Sequence, residues 1–175
     1  SNLVDTEQPI DNSKRDFIKK SITLGIIGIS GTATGFGFYN SRKGPSVIKH
    51  DIFLESLPES FNNFTIAQIS DLHIGPTIKR PYVENVLDKI SIHNPDLIAV
   101  TGDLVDGSVQ YLRSDLAPLK DMIAPFGTYF VTGNHEYYSG VDLWLDETDR
   151  LGMKNLINSN ELISRASDQI AIAGI

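Results

Sequence analysis

No cysteine occurs in the 175 residues, which excludes disulfides, thiolate nucleophiles and cysteine-based zinc sites. Histidine is scarce, with four copies, and tryptophan occurs once. Positive charge is also short: 15 Lys and Arg stand against 22 Asp and Glu, a formal net charge of −7. The deficit is uneven. Up to Lys49, seven basic residues outnumber four acidic ones, whereas the remainder holds 8 basic against 18 acidic. Such an acidic body is a poor docking surface for phosphate backbones, so nucleic acid is not the expected partner. Acidic clusters hold cations instead. The apolar share of 41% fits a globular chain with room for one ordinary domain. Ser1 in place of Met suggests an upstream end that is cut or processed.

The one long uncharged run, residues 21–41, sits between basic clusters in "SKRDFIKKSITLGIIGISGTATGFGFYNSRK". About 20 apolar residues make one bilayer crossing. A buried soluble helix is the plainer alternative, but Gly25, Gly28, Gly31, Gly35 and Gly37 speak against it. Each interior glycine costs about 1 kcal/mol against alanine in water, whereas membrane helices pack through glycine. The segment reads as a transmembrane or signal-anchor helix. "SKRDFIKK" also resembles a twin-arginine export signal with Lys14 in the first arginine's place, and a last helix of several is a third version. By the positive-inside rule Lys14, Arg15, Lys19 and Lys20 stay cytoplasmic, and the acidic body lies outside. The expected organisation is a basic cytoplasmic segment (1–20), a membrane or export segment (21–41), a linker (42–50) and a catalytic-type domain (51–175).

Past the linker, strand and helix patterns alternate. "SVIKHDIFLESLP" alternates apolar and polar positions and predicts an outer strand ended by Pro58. "FTIAQISD", "DLIAVTGD" and "GTYFVTGNH" predict buried strands, and "QIAIAGI" a last one. Val83, Val86, Leu87 and Ile90 recur at helical spacing; Leu112, Leu116, Leu119 and Ile123 mark a second helix interrupted by Pro118; residues 143–151 suggest a third. Apolar strands alternating with helices imply an α/β fold with helices covering the sheet.

Three successive strands end in polar loops: "SDLHIG", "TGDLVDG" and "TGNHEYY". Taken singly, Asp71, Asp103, Asp106 and Asn134 read equally well as turn residues, and His73 as a surface histidine. Jointly they do not, because ligands gather at the carboxyl ends of strands in α/β sheets. Asp71, His73, Asp103, Asp106, Asn134 and His135 are therefore expected to converge. Carboxylates, imidazole and a carboxamide oxygen suit manganese, iron, zinc or magnesium, and an aspartate can bridge two ions where a histidine nitrogen cannot. His50 and His93 read as surface or structural residues.

In this order, D-x-H at 71–73, G-D-x-x-D at 102–106 and G-N-H-E at 133–136 resemble the calcineurin-like metallophosphoesterases, with the surrounding "ISDLHIGP" and "YFVTGNHEYYSG" most similar to a bacterial membrane-anchored branch. The resemblance implies a β-sandwich flanked by helices, its N-terminal half being present here, and a dinuclear metal centre at the loop edge. It makes Asp71 and His73 ligands of the first ion, Asp103 the bridge, and Asn134 a ligand of the second through its side-chain oxygen. His135 would face the phosphate as transition-state stabiliser or general acid, oriented and kept protonated by Asp106, and the nucleophile would be a metal-bound hydroxide. Glu136 falls to packing or to support of the ligands. Gly107 stands where protein phosphatases of the superfamily carry arginine, which disfavours that role. The family's later G-H-x-H histidines have no counterpart, so truncation at the carboxyl end is expected, with weak metal binding and little activity from this chain alone.

The resulting expectation is metal-dependent hydrolysis of phosphodiester or phosphomonoester bonds at the extracytoplasmic membrane face, with lipid-linked or cell-envelope phosphates as candidate substrates. Two alternatives stand beside it: a catalytically silent membrane-anchored scaffold, and an intracellular nucleotidase or nuclease.

Overall fold

The computed structural model describes residues 12–42 and 44–175. Residues 1–11 of the expected basic segment, and Lys43 of the expected linker, lie outside the described residues. The chain divides into two units between Lys43 and Gly44, each taken here by itself.

The described residues of the first unit form one helix, α1 (Asn12–Arg42). It begins before the uncharged run because Lys and Arg are good helix formers and extend it backwards. Ser13–Tyr39 is long and apolar enough to cross a membrane. Its 27 residues rise about 1.5 Å each, so they reach about 40 Å, more than the roughly 30 Å of hydrocarbon in a bilayer. Phe17, Leu24, Ile29 and Phe36 are all exposed, and the five glycines have open space where a Cβ would stand. A helix with uncovered apolar side chains around it suits lipid better than water. It is a candidate transmembrane helix.

The second unit is a mixed α/β body. Its main sheet has four parallel strands in the order β1 (Ile66–Ile69), β2 (Leu97–Thr101), β3 (Thr128–Val131) and β4 (Lys154–Asn155). The register sets Ile69 beside Val100 and Thr101 beside Val131, so the first three strands stop at one edge. Between them run α2 (Arg80–His93), which carries Pro81 in its first turn and ends on Asn94 in left-handed geometry, and α3 (Val109–Leu116). Two further helices follow β3: α4 (Asn134–Ser139) and α5 (Val141–Arg150). An antiparallel hairpin, β5 (Ser159–Arg165) with β6 (Asp168–Gly174), forms a second sheet.

Alternation along the strands places the layers. Ile98, Val100 and Phe130 point to one face, where they pack with Val83, Val86, Leu112, Leu116 and Trp144 from the helices. Leu97, Tyr129 and Val131 point to the other, against Phe61, Leu156, Ile163, Ile170 and Ile172. Successive strand residues thus feed two cores, as the two-residue repeat of a strand requires. One face carries helices and the other a second sheet, in keeping with the expected α/β layers.

Three details differ from the sequence reading. Residues 46–54 form no strand, and Ile48, Ile52, Phe53 and Leu54 are exposed. Alternation sets which side chains share a face, but a strand also needs a neighbouring backbone to bond, and none of the described residues supplies one. The helix predicted through Ile123 ends at Leu116; residues 117–121 tighten to a 3-10 turn around Pro118, and Ile123 is exposed. Finally α4, β4 and β5 were not legible, being short or lacking a clear period.

Candidate metal centre

Because β1, β2 and β3 run parallel and end level, the residues after them share one edge of the sheet. The first two loops continue the pairing beyond the strands. His73 N–H donates to the Asp103 carbonyl at 3.0 Å, Ile74 N–H to Leu104 at 3.0 Å, and Asp106 N–H returns to Ile74 at 2.8 Å. Leu72, Ile74, Leu104 and Val105 anchor the loops in the helix-side core, leaving the alternate polar residues facing outward. From the far side, the indole N–H of buried Trp144 on α5 holds the Gly107 carbonyl at 3.0 Å.

Three expected site residues have left-handed backbones: Asp71 at φ 57°, His73 at 46° and Asp103 at 50°. L-residues rarely adopt that region, and such strain concentrates at functional sites. The second and third loops also press together. A Cβ added at Gly102, itself at φ +85°, would lie 2.5 Å from the Gly133 nitrogen; one at Gly133 would lie 2.5 Å from the Asp103 nitrogen. Glycine at both places allows the two loops to touch.

The side chains then converge. Asp106 Oδ1 lies 3.2 Å from His73 Nδ1 and also contacts His135 Nδ1. One carboxylate therefore serves two imidazoles, whose rings meet edge to face at 4.5 Å. With Nδ1 of each ring turned to Asp106, Nε2 is the nitrogen left for a ligand. His73 Nε2 lies 3.8 Å from Asp71 Oδ1 at the exposed rim. Asp103 Oδ1 accepts the His135 backbone N–H at 2.9 Å.

Donor atoms of His73, Asp103 and His135 all lie within 4.8 Å of one another. Imidazole nitrogen and carboxylate oxygen are donors that fit a divalent ion, and Asp71 lies beside them. Lysine and arginine do not neutralise this edge. Their ion pairs among the described residues go to Asp115, Glu84, Glu147 and Glu161. Asn134 takes the first position of α4 with its side chain exposed, and forms no hydrogen bond to the cluster. His50 and His93 are exposed, apart from it. A surface groove lined by Arg80, Glu84, Asp88, Lys120 and Asp121 shares no residue with the site.

Glu136 carries more of the site's construction than its sequence position suggests. It is fully buried, and its carboxylate accepts three backbone N–H groups, from Asp103, Leu104 and Gly133. The available signal was spacing: an acidic residue three after a residue that opens a helix reaches back to the helix start. Without a recognised helix at residue 134, that signal had no frame.

Comparison with known proteins agrees with the geometry. The sequence model of the calcineurin-like phosphoesterases matches residues 64–170. A zebrafish protein described as a transmembrane protein with metallophosphoesterase domain is 37% identical over 144 residues, covering 80% of this chain and 33% of that one. Its bovine namesake is 36% identical over 146 residues, covering 79% and 33%. An uncharacterized metallophosphoesterase of Helicobacter pylori is 30% identical over 146 residues, covering 83% and 38%. The chain thus spans about a third of the length of these relatives. The shared region holds all three loops, and the chain belongs to the calcineurin-like phosphoesterase family.

Proposed function

We propose that this chain supplies the metal-binding loops of a phosphoesterase that cleaves phosphodiester or phosphomonoester bonds with two divalent ions. The observation that carries the reading is the convergence of three strand-end loops on His73, Asp103 and His135, with Asp106 behind both rings. Asp71 and His73 would hold one ion, Asn134 the other, and Asp103 both. The chemistry such ions supply when bound is Lewis acidity at the phosphoryl oxygens and activation of water at neutral pH.

The chain's own residues do the rest. Asp106 fixes the His135 ring so that Nε2 faces the phosphate, where it donates a proton to the departing ester oxygen. Asp103 accepts the backbone N–H of residue 135, so that ring and carboxylate keep a set separation. The test is hydrolysis of an aryl phosphodiester with manganese by the protein that carries this chain. His135→Ala should slow turnover about 10²–10⁴-fold while bound manganese is retained. Undiminished turnover in that variant would overturn the role of His135.

The candidate transmembrane helix and the relatives named as transmembrane proteins support a membrane setting. With Lys14, Arg15, Lys19 and Lys20 cytoplasmic, residues 44–175 lie on the extracytoplasmic side, and lipid-linked or envelope phosphates become the substrates within reach. In a background free of other cysteines, Ser159→Cys provides a single exposed thiol. A membrane-impermeant maleimide should label it in intact cells; labelling only after lysis reverses the orientation.

A further inference from the structure

We propose that Glu136 is a positioning residue: its buried carboxylate fastens the Asp103 loop to the start of α4, and so presets Asp103 for the cation and His135 for the phosphate beside it. The proposal rests on the metal-site reading above. Glu136 is 0% exposed, and no lysine or arginine pairs with it among the described residues. Its charge is met instead by backbone. Oε2 accepts the N–H of Asp103 at 3.0 Å and of Gly133 at 2.7 Å, while Oε1 accepts the N–H of Leu104 at 2.8 Å.

These bonds close a ring. Glu136 holds the nitrogens of residues 103 and 133 from one side, and Asp103 Oδ1 holds the nitrogen of residue 135 from the other. Two loops some thirty residues apart are thereby locked at the point where glycine lets their backbones meet. The left-handed backbone of Asp103 is kept by a bond to its own N–H. With Oδ1 engaged, the second carboxylate oxygen of Asp103 remains for a ligand.

The carboxylate is required for its two oxygens. Glutamine presents one oxygen and one NH₂ group, so an N–H donor would face another donor on one side. Aspartate is one methylene too short to reach both loops. Loss of a group that orients a metal ligand typically costs about 10–100-fold in metal affinity.

In the protein that carries this chain, the experiment compares wild type with Glu136→Gln, Glu136→Asp and Glu147→Gln. Glu147 is as deeply buried but pairs with Arg113 and Arg150 on the helical flank, so it reports on structure alone. Three quantities are read: amide exchange at residues 103, 104 and 133, manganese affinity by calorimetry, and thermal unfolding. Glu136→Gln should speed exchange at those amides at least about tenfold and weaken manganese about 10–100-fold. Glu136→Asp should fall between, and Glu147→Gln should lower the unfolding temperature with manganese affinity intact. If Glu136→Gln lowers only the unfolding temperature, or the Glu147 variant weakens manganese as much, the positioning role is overturned. A folded wild-type protein that binds no manganese overturns the metal-site reading instead, and exchange at the three amides then decides whether the clamp exists.

Discussion

The loop edge of the sheet and its helical flank both carry carboxylates, but they balance them in opposite ways. On the flank, the Glu147 carboxylate is 1% exposed and meets two arginines: Arg150 at 2.6 and 2.9 Å, and Arg113 at 3.0 Å. The hydrogen bonds from Arg150 are the chief reason its carboxyl is held below the usual carboxylate range, against the upward pull of burial. At the loop edge, Asp71, Asp103, Asp106 and Glu136 face imidazoles and backbone N–H groups, with no arginine or lysine paired to them among the described residues. The flank is finished by its own side chains. The edge gathers carboxylates without such partners, the arrangement expected of a cation site rather than of a structural ion pair.

Breaking the edge should therefore remove binding, and breaking the flank should remove stability. The largest effect is expected from Asp103→Asn, which keeps shape but halves the oxygen donors. Manganese binding should fall at least about 100-fold, with unfolding in metal-free buffer unchanged or slightly raised, since one carboxylate leaves an acidic cluster. A variant that binds manganese normally would erase the proposed distinction.

Glu147→Gln should do the reverse, costing about 1–3 kcal/mol in denaturant unfolding through lost charge-assisted hydrogen bonds. Its pH dependence sharpens the contrast. Because the folded-state pKa of Glu147 is depressed, its stabilisation is full above the unfolded value and disappears as pH falls through the folded one. The gap between wild type and variant should be constant above about pH 5 and shrink below about pH 4. A gap that widens in acid would contradict the assigned sign.

The smallest effect belongs to the Lys154–Glu161 pair, half exposed on the hairpin side. Lys154→Ala should change stability by less than about 1 kcal/mol, and less still in high salt. A larger loss in thermal unfolding would mean that Lys154 contributes through its position over the Tyr129 ring, 5.4 Å away.

Legibility in the sequence followed the strength of local signals. Ile66–Ile69, Leu97–Thr101 and Thr128–Val131 were readable as strands because short apolar runs stop at polar turns. The six candidate residues could be nominated because each follows such a run, and of them His73, Asp103, Asp106 and His135 come together. Residues 46–54 misled, since alternation says nothing about whether a partner strand exists. Ile123 misled because Pro118 ends regular hydrogen bonding five residues earlier. Glu136 could not be ranked, because its three partners include two on a loop about thirty residues away.

The sequence by itself determined the apolar segment that makes α1, the α/β order, and which chemical groups stand at the three strand ends. Those properties are local: side-chain chemistry, a period of two or of 3.6, and the place where a run stops. Only the tertiary structure decided that Asp106 serves both imidazoles, that Gly102 and Gly133 allow two loops to touch, and that Glu136 clamps them. Those properties depend on distances between segments far apart in the chain. Parallel strands in register set these distances, and no stretch of the sequence specifies them alone.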